Sequence, residues 1–599
     1  MLRLATTLAG RIAVPRHHAL AHNADVARAS AGASRGARRS SGVNLAPLAD
    51  TAAYLDSNLP RLAVVKHALG ARFDIVWSPA PGCVMATRPL PRSVPDGEDL
   101  RAVGLAFAEG RDAVAGRAVT DLSPESLPGN VGFVRADGDK LVVVRSGPGT
   151  VPWYAWQDRD RALVTTTFTE MVRLLPVMPE LDPLVCALWA NFQAVFPGGR
   201  SFLRGVSVIP PGHTAEVWPG RLVRPHAWWG PWPEELPWPS QAARAENVER
   251  FRNAVLSALQ REVADEPANL LTLSGGVDSS SLAYLIGRHL GRPLSALSFV
   301  PPPGRAESEM AASYLGPLVH DLGITRHICE PLDGPRRLGL VAGTPPVVFP
   351  VAHPALQVLP RLVDEWGVEV LVGGEFADEI CGGWFAYGDW LDAISLVRLI
   401  LGAGALPRGR SDLKAWAARR LPDRLLPGPW PASLAPWVRN EVDEEYQAWR
   451  ATQLRDLRTS SSPHRSQRAL LASQEGVTAM NWEVCSFLGV RRTFPFFNAE
   501  VLQVVSACHP VELLGPGPKR LERQAFAGLV PERYLHRPDK GGWRGEDDEA
   551  LVEPPPVPAS LGAAFHENLP PMTPAQASGV AILSGFAHRL AQAISPNRR

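Results

Sequence analysis

The chain has 599 residues, a formal net charge of +1 and 20% charged residues. That length fits two to four domains, and the balanced charge excludes the basic footprint of a nucleic-acid binder. No apolar run is long enough to span a bilayer, and six scattered cysteines (Cys83, Cys186, Cys329, Cys381, Cys485, Cys508) without CxxC spacing exclude a disulfide framework or zinc site and fit a reducing cytoplasm.

Residues 1–48 hold seven arginines and one acidic residue, Asp25. The composition resembles an organellar transit peptide, but such composition is weakly specific, and a disordered extension or an upstream start codon is the favoured reading. Residues 49–232 carry short β-branched runs broken by turns. Val131–Arg135 and Leu141–Arg145 are expected strands joined by a turn at Ala136–Asp139, and Leu163–Thr167 is a third run. The proline-rich Pro231–Gln241 is an expected linker. From Ala242 the apolar period becomes helical, and strands then alternate with helices at Leu270, at "PLSALSFV" and at Val368–Gly374. This pattern predicts a doubly wound parallel sheet. A mainly helical part follows, and residues 551–599 are expected to form a helical tail.

"LSGGVDSSSL" (Leu273–Leu282) joins a buried strand to a helix. Gly275 and Gly276 permit a tight turn, backbone N–H groups at a helix start bind anions, and Ser274, Ser279 and Ser280 add hydroxyls. The Walker pattern is absent. Asp278 lies inside this loop, where an acid would repel phosphate unless Mg²⁺ bridges the two. "GGEFADEICGGW" follows another apolar strand, and Asp378 is the candidate second Mg²⁺ ligand.

"SGGVDSS" resembles the pyrophosphate loop of ATP pyrophosphatases, and the two loops together resemble the asparagine synthetase family. That family's pattern is SGGxDSS followed by GExxDExFGGY, the latter matched by Gly374–Trp384. "GPGTVPWYAW", "FLRGVSVIPPGH", "FPFFNAEVLQVV" and "RPDKGG" resemble further family segments in the correct order. The resemblance implies an N-terminal α+β, Ntn-hydrolase-like (glutaminase-like) domain over 49–232 and an α/β ATP-pyrophosphatase domain over 242–550. It implies ATP and Mg²⁺ as cofactors. Leu273 and Val300 would flank the adenine, with Gly374 near the nucleotide. Glu375 matches an acid proposed as general base on the attacking amine. Lys540 matches a lysine that stabilises developing negative charge, and it is one of only five lysines in the chain.

Glutamine-dependent members of the family use an N-terminal cysteine to release ammonia. Here Met1 is followed by Leu2, and the first cysteine is Cys83, so the N-terminal domain is expected to be degenerate and without glutaminase activity. β-Lactam-type synthetases and lasso-peptide cyclases share this loss, and both close rings with an internal amine. β-Lactam synthetases carry a tyrosine where this chain has Glu375. The family's "SMxxSLEVRxPFLD" segment is stretched here to "AMNWEVCSFLGVRRTFPFFN", with Asn498 in place of an expected aspartate; that lobe faces the acceptor in the family, so the divergence suggests an acceptor other than free aspartate. The resemblance therefore points to a lasso-peptide macrocyclase, with a precursor peptide, a maturation protease and a leader-recognition protein as partners, and no nucleic acid or membrane. A small-molecule cyclase, an ammonia-dependent asparagine synthetase and a non-catalytic scaffold remain as alternatives. Single tryptophans such as Trp153, Trp228 and Trp384 are expected in packing roles.

Overall fold

The short β-branched runs before residue 228 form two antiparallel sheets, and central strands in each are buried on consecutive residues, as in Leu141–Arg145 and Ala162–Thr165, because both faces are covered. The computed structural model describes residues 48–56, 63, 66–67, 75–77, 83–89, 103–106, 131–137, 139–191, 195–221, 223–230, 232–300, 306–331, 358–382, 430, 433–513, 518–537, 553, 555–566, 569–572 and 574–594. All of them fall in one contact unit, Asn44–Arg599.

The first sheet has six strands, β1 (Leu48–Asp56), β2 (Ile75–Trp77), β3 (Cys83–Pro89), β7 (Tyr154–Gln157), β8 (Arg161–Thr165) and β9 (Val206–Val208), in the order β2-β3-β1-β8-β7-β9. The second has β4 (Val103–Ala106), β5 (Val131–Asp137), β6 (Lys140–Arg145), β10 (His213–Val217) and β11 (Arg224–Ala227), in the order β11-β10-β6-β5-β4. Ala53, Cys83 and Val164 of the first sheet meet Val134, Val143 and Ala215 of the second in one core, with the fully buried Trp153 between them. Strand residues alternate faces, so Tyr54, Tyr154 and Leu163 point the other way, into a second core with the helices α1 (Phe168–Leu174) and α2 (Pro183–Ala190). The expected turn begins later than Ala136, because β5 runs to Asp137. The expected third run starts earlier, at Arg161, and Thr167 leaves it to cap α1 by accepting from the Glu170 N–H.

After Ser240, whose hydroxyl caps the helix α3 (Gln241–Glu262), the architecture changes. β12 (Asn269–Thr272), β13 (Ser295–Val300), β14 (His327–Pro331), β15 (Val370–Val372) and β16 (Arg491–Thr493) form a sheet in the order β14-β13-β12-β15-β16, parallel throughout. Leu271, Leu273 and Val372 bury one face against α3 and α4 (Val277–Tyr284). Leu270, Leu297 and Leu371 bury the other against α5 (Leu359–Trp366). Both faces are covered, as an all-parallel sheet requires. The strand order reverses between β12 and β15, and this switch point is where ligands of such sheets bind.

The two halves are joined by buried charge. Arg145 at the end of β6 pairs with Glu475 at 2.7 Å, at the start of the helix α6 (Glu475–Leu488). Glu483 of the same helix accepts from the Phe168 and Thr169 N–H groups at the start of α1 and from Thr169 Oγ1 at 2.9 Å. The C-terminal helix α7 (Pro574–Ile594) returns to the N-terminal half, where Val580, Leu583 and Phe586 join the core of α1 and α2. The linker is pinned by Trp232 against His464 (5.3 Å between ring centroids) and Trp238 against His509 (5.0 Å).

Candidate active site

The strand β12 ends at Thr272 and is followed by Leu273, a buried residue whose N–H donates to the Leu297 carbonyl of β13 at 2.8 Å. Beyond it the chain must turn sharply, and Gly275 does so at φ +71°, a region that favours glycine. The loop satisfies itself internally. The Ser274 N–H donates to Ser279 Oγ (3.1 Å), and the Gly276 N–H donates to Ser274 Oγ (3.3 Å). Gly276 caps α4 without any side-chain bond, so the helix start presents backbone donors. Arg537, buried and lying over the Tyr314 ring at 4.1 Å, donates to the Gly275 carbonyl at 2.7 Å and braces the turn from behind. Ser280 is fully buried inside α4. Val300 closes β13 in a half-buried position.

The second loop leaves β15 beside the first. A Cβ built on Gly374 would sit 3.2 Å from Asp278 Cβ and 3.3 Å from the Ser279 nitrogen, so the two loops touch backbone to backbone. Glu375 follows, ion-paired through Oε1 to Arg492 Nη2 of β16. Phe376 then adopts φ +67°, and its ring is held against Phe494 (4.9 Å, edge-on) and Phe497 (4.3 Å, stacked). This left-handed residue reverses the chain so that Asp378 falls in the first turn of the short helix Ala377–Ile380.

Asp278 and Asp378 converge on one cation, Lys519. Its Nζ contacts Asp278 Oδ1 and lies 2.8 Å from Asp378 Oδ1. Lys519 is itself left-handed (φ +61°), and its N–H donates to the Gly382 carbonyl at 2.9 Å. Among the described residues, Phe376 and Lys519 are the two non-glycine positions with positive φ, and both flank the acid pair. Such strain persists only where the surroundings over-determine it. Burial acts to lower the Lys519 ammonium pKa, but Asp278, Glu522 and Asp378 outweigh it and hold the group above its ordinary value. Burial, reinforced by Asp278, pushes the fully buried Glu522 carboxyl well above the usual carboxylate range.

The expected site residues Ser274, Gly275, Gly276, Asp278, Ser279, Gly374, Glu375 and Asp378 thus lie together at the switch point. Lys540 falls outside the described residues. Sequence reasoning missed Lys519, Glu522, Arg492 and Arg537; the one available signal was that Lys519 is a rare lysine in an arginine-rich chain. Asn498 has a structural role. It is fully buried, caps the helix Ala499–Ala507, and donates to the buried Glu262 carboxylate at 2.8 Å. An aspartate there would face Glu262 as a second acid, so the asparagine also meets a packing need.

The family model described as asparagine synthase matches residues 249–556, just over half of the chain. No curated protein matches. Among solved structures, the chain is similar to the U34-tRNA thiolase NcsA from Methanococcus maripaludis with its [4Fe-4S] cluster, at 16% identity and a TM-score of 0.18, covering 38% of this chain and 80% of that one. It is also similar to the glutamine phosphoribosylpyrophosphate amidotransferase from B. subtilis complexed with ADP and GMP, at 12% identity and a TM-score of 0.14, covering 56% and 72%.

Proposed function

The chain belongs to the asparagine synthase family, and from that premise we propose that it is an AMP-forming ligase that activates a carboxylate with ATP and closes a ring through an internal amine, as a lasso-peptide macrocyclase does. ATP-dependent amide formation comes with the family. The observation that carries the site reading is the convergence of Asp278 and Asp378 on one cation at the switch point.

Two carboxylates converging on one positive charge are a donor set that suits Mg²⁺, which completes its shell with phosphate and water oxygens. Among the described residues no group of three or more His, Cys, Asp or Glu side chains could hold a metal ion, so the protein's share of this site would be the two aspartates. Asp278 and Asp378 would hold the ion, which would neutralise phosphate charge as pyrophosphate departs.

In this reading the loop Ser274–Ser279 grips the phosphates, with the Ser280 hydroxyl buried inside the helix and out of their reach, Leu273 and Val300 flank the adenine, and Gly374 lets the second loop close on the nucleotide. Glu375 takes the proton from the attacking amine, and Lys540 stabilises the negative charge that develops on the carboxyl and phosphate oxygens. Holding amine and activated carboxyl in one folded substrate supplies the proximity that ring closure needs.

Residues 49–232 would be the Ntn-hydrolase-like, degenerate glutaminase relic. Within the two antiparallel sheets and their helices, Cys83 and Cys186 are both buried; burial pushes the Cys83 thiol up to about 12 and raises Cys186 as well. Neither is a poised thiolate, which favours an amine already on the substrate over ammonia released from glutamine. Residues 242–550 would be the ATP-pyrophosphatase domain, with 1–48 an extension and 551–599 a helical tail. A precursor peptide is the proposed substrate, with a maturation protease and a leader-recognition protein as partners in the cytoplasm. Among the described residues no helix is long and apolar enough to cross a membrane.

The test is incubation with a candidate precursor peptide, its maturation protease, ATP and Mg²⁺. Loss of one water from the peptide together with AMP formation is expected. Asparagine made from aspartate and ammonia would replace this reading with an ammonia-dependent synthetase.

A further inference from the structure

We propose that Arg492 is the positioning residue for the Glu375 carboxylate and that Gly373 completes its seat. The proposal rests on the reading of Glu375 as the base that receives the amine proton. It concerns how that base is aimed.

The parallel register of β15 and β16 pairs Leu371 with Arg492 and Val372 with Thr493, and the Gly373 N–H donates to the Thr493 carbonyl at 3.0 Å. Arg492 therefore leaves β16 beside the point where β15 ends and the acidic loop begins. Its side chain is only 3% exposed, while that of Glu375 is 34% exposed. The cation is inside, and the acid is partly exposed, with its Oε1 on Arg492 and its Oε2 buried without a hydrogen-bond partner among the described residues. Arginine stays charged when buried and has a planar, directional fork, so it suits a fixed anchor better than a site of proton exchange.

The anchor is itself fixed. The guanidinium lies over the Phe494 ring at 5.0 Å, and Phe494 meets Phe376 edge-on at 4.9 Å. Phe376 is the left-handed residue between Glu375 and Asp378. One chain of contacts thus ties the guanidinium plane to the backbone that carries both acids.

Gly373 supplies the other wall. A Cβ built there would fall 1.7 Å from Glu375 Oε2 and 2.6 Å from Arg492 Nη2. The room a side chain would occupy is filled by the carboxylate. Arg492 holds Oε1 while the glycine lets Oε2 close against the main chain. A glutamate confined in this way has little rotamer freedom left to lose when an amine arrives, which is the benefit of a preset geometry.

A readout that needs no substrate tests the seat. The full-length protein is treated with a water-soluble carbodiimide and glycine ethyl ester, and labelling at Glu375 is measured by peptide mapping, with the exposed Asp364 as internal control. R492M should label several-fold faster at Glu375 than wild type, R492K should be intermediate, and G373A should also label faster, with Asp364 unchanged in all three. Equal Glu375 labelling in wild type, R492M and G373A would overturn the proposal; so would a parallel rise at Asp364, which marks general loosening. In turnover with a precursor peptide, R492M should lower ring closure about a hundredfold while keeping ATP–pyrophosphate exchange, because the base acts after adenylation. Equal loss of both steps would make Arg492 a merely structural residue. E375Q separates the two ideas: full ring closure in E375Q would remove the base reading, while the labelling result would still decide the seat.

Discussion

Lys519 Nζ lies 2.8 Å from Asp378 Oδ1 and reaches Asp278 Oδ1 as well, so one ammonium joins acids from the two loops that flank the switch point. Without a cation there, two carboxylates held by adjacent helix starts would repel. Lys519 and a divalent ion answer the same electrostatic need at the same place.

K519M should therefore change the response to Mg²⁺ as well as the stability. The Lys519 side chain is 8% exposed and its partners 23% and 21%. Removing one partner of so buried a cluster costs about 3 kcal/mol. Guanidinium denaturation with and without Mg²⁺ should show that the ion recovers more stability in K519M than in wild type. An identical Mg²⁺ effect in both proteins would mean that the ammonium and the ion do not share these acids.

Glu522 makes stability depend on pH. Its folded-state pKa is raised by burial, with Asp278 adding to the effect. A carboxyl with a raised folded pKa contributes stability that is fully present below its unfolded value and lost as pH rises through the folded one. E522Q keeps the shape and cannot ionise. It should match wild type at acidic pH and become progressively the more stable protein as pH rises above the ordinary carboxyl range. Denaturation midpoints of both proteins measured across pH check this, and a constant difference would refute it.

The centre of the parallel sheet was legible because β12, β13 and β15 are apolar runs, in which Leu270, Leu271 and Leu371 need no partner knowledge to be read as buried, whereas the outer strands β14 (HICEP) and β16 (RRT) carry no such run. The phosphate loop was legible because its glycines and its acid are adjacent in sequence. β7 (Tyr154–Gln157) was not, since its four residues give too short a period to detect. Lys519 and Arg492 were not, because they reach the site only through tertiary folding: one precedes a helix of six residues, Arg520–Ala525, and the other sits on a three-residue strand. The packing role of Asn498 was not legible either, because its partner, Glu262, lies at the end of a distant helix.

Arg145 and Glu475 form a buried bond between the two halves. Their side chains are 1% and 8% exposed, and Arg145 also donates to the Gly149 carbonyl at 2.6 Å. Burial lowers the arginine pKa and raises that of the glutamate, so the pair works against desolvation. R145M should cost about 3–5 kcal/mol by leaving Glu475 unpaired, and R145M/E475Q should regain part of that loss. A double-mutant cycle by denaturant unfolding measures the coupling. Additive losses would show that the pair does not act as a unit.

Gly374 is where the nucleotide loop and the acidic loop meet, and its replacement tests whether their spacing matters to the chemistry. The atoms that a Cβ would press on, Asp278 Cβ at 3.2 Å and the Ser279 nitrogen at 3.3 Å, belong to a helix start that cannot swing aside as a side chain would. G374A should move Asp378 and Asp278 apart by a fraction of an ångström. Overpacking of this kind costs about 1–3 kcal/mol of stability. Misplacement of reacting groups by a similar distance can lower a rate about a hundredfold. ATP–pyrophosphate exchange should thus fall far more than stability does. In G275A the strain at φ +71° should instead destabilise by about 1–2 kcal/mol, and its Cβ would meet Tyr314 and Arg537, away from the acid pair. If the two variants lose exchange only in proportion to their lost stability, contact between the loops is a packing feature and does not set the catalytic spacing.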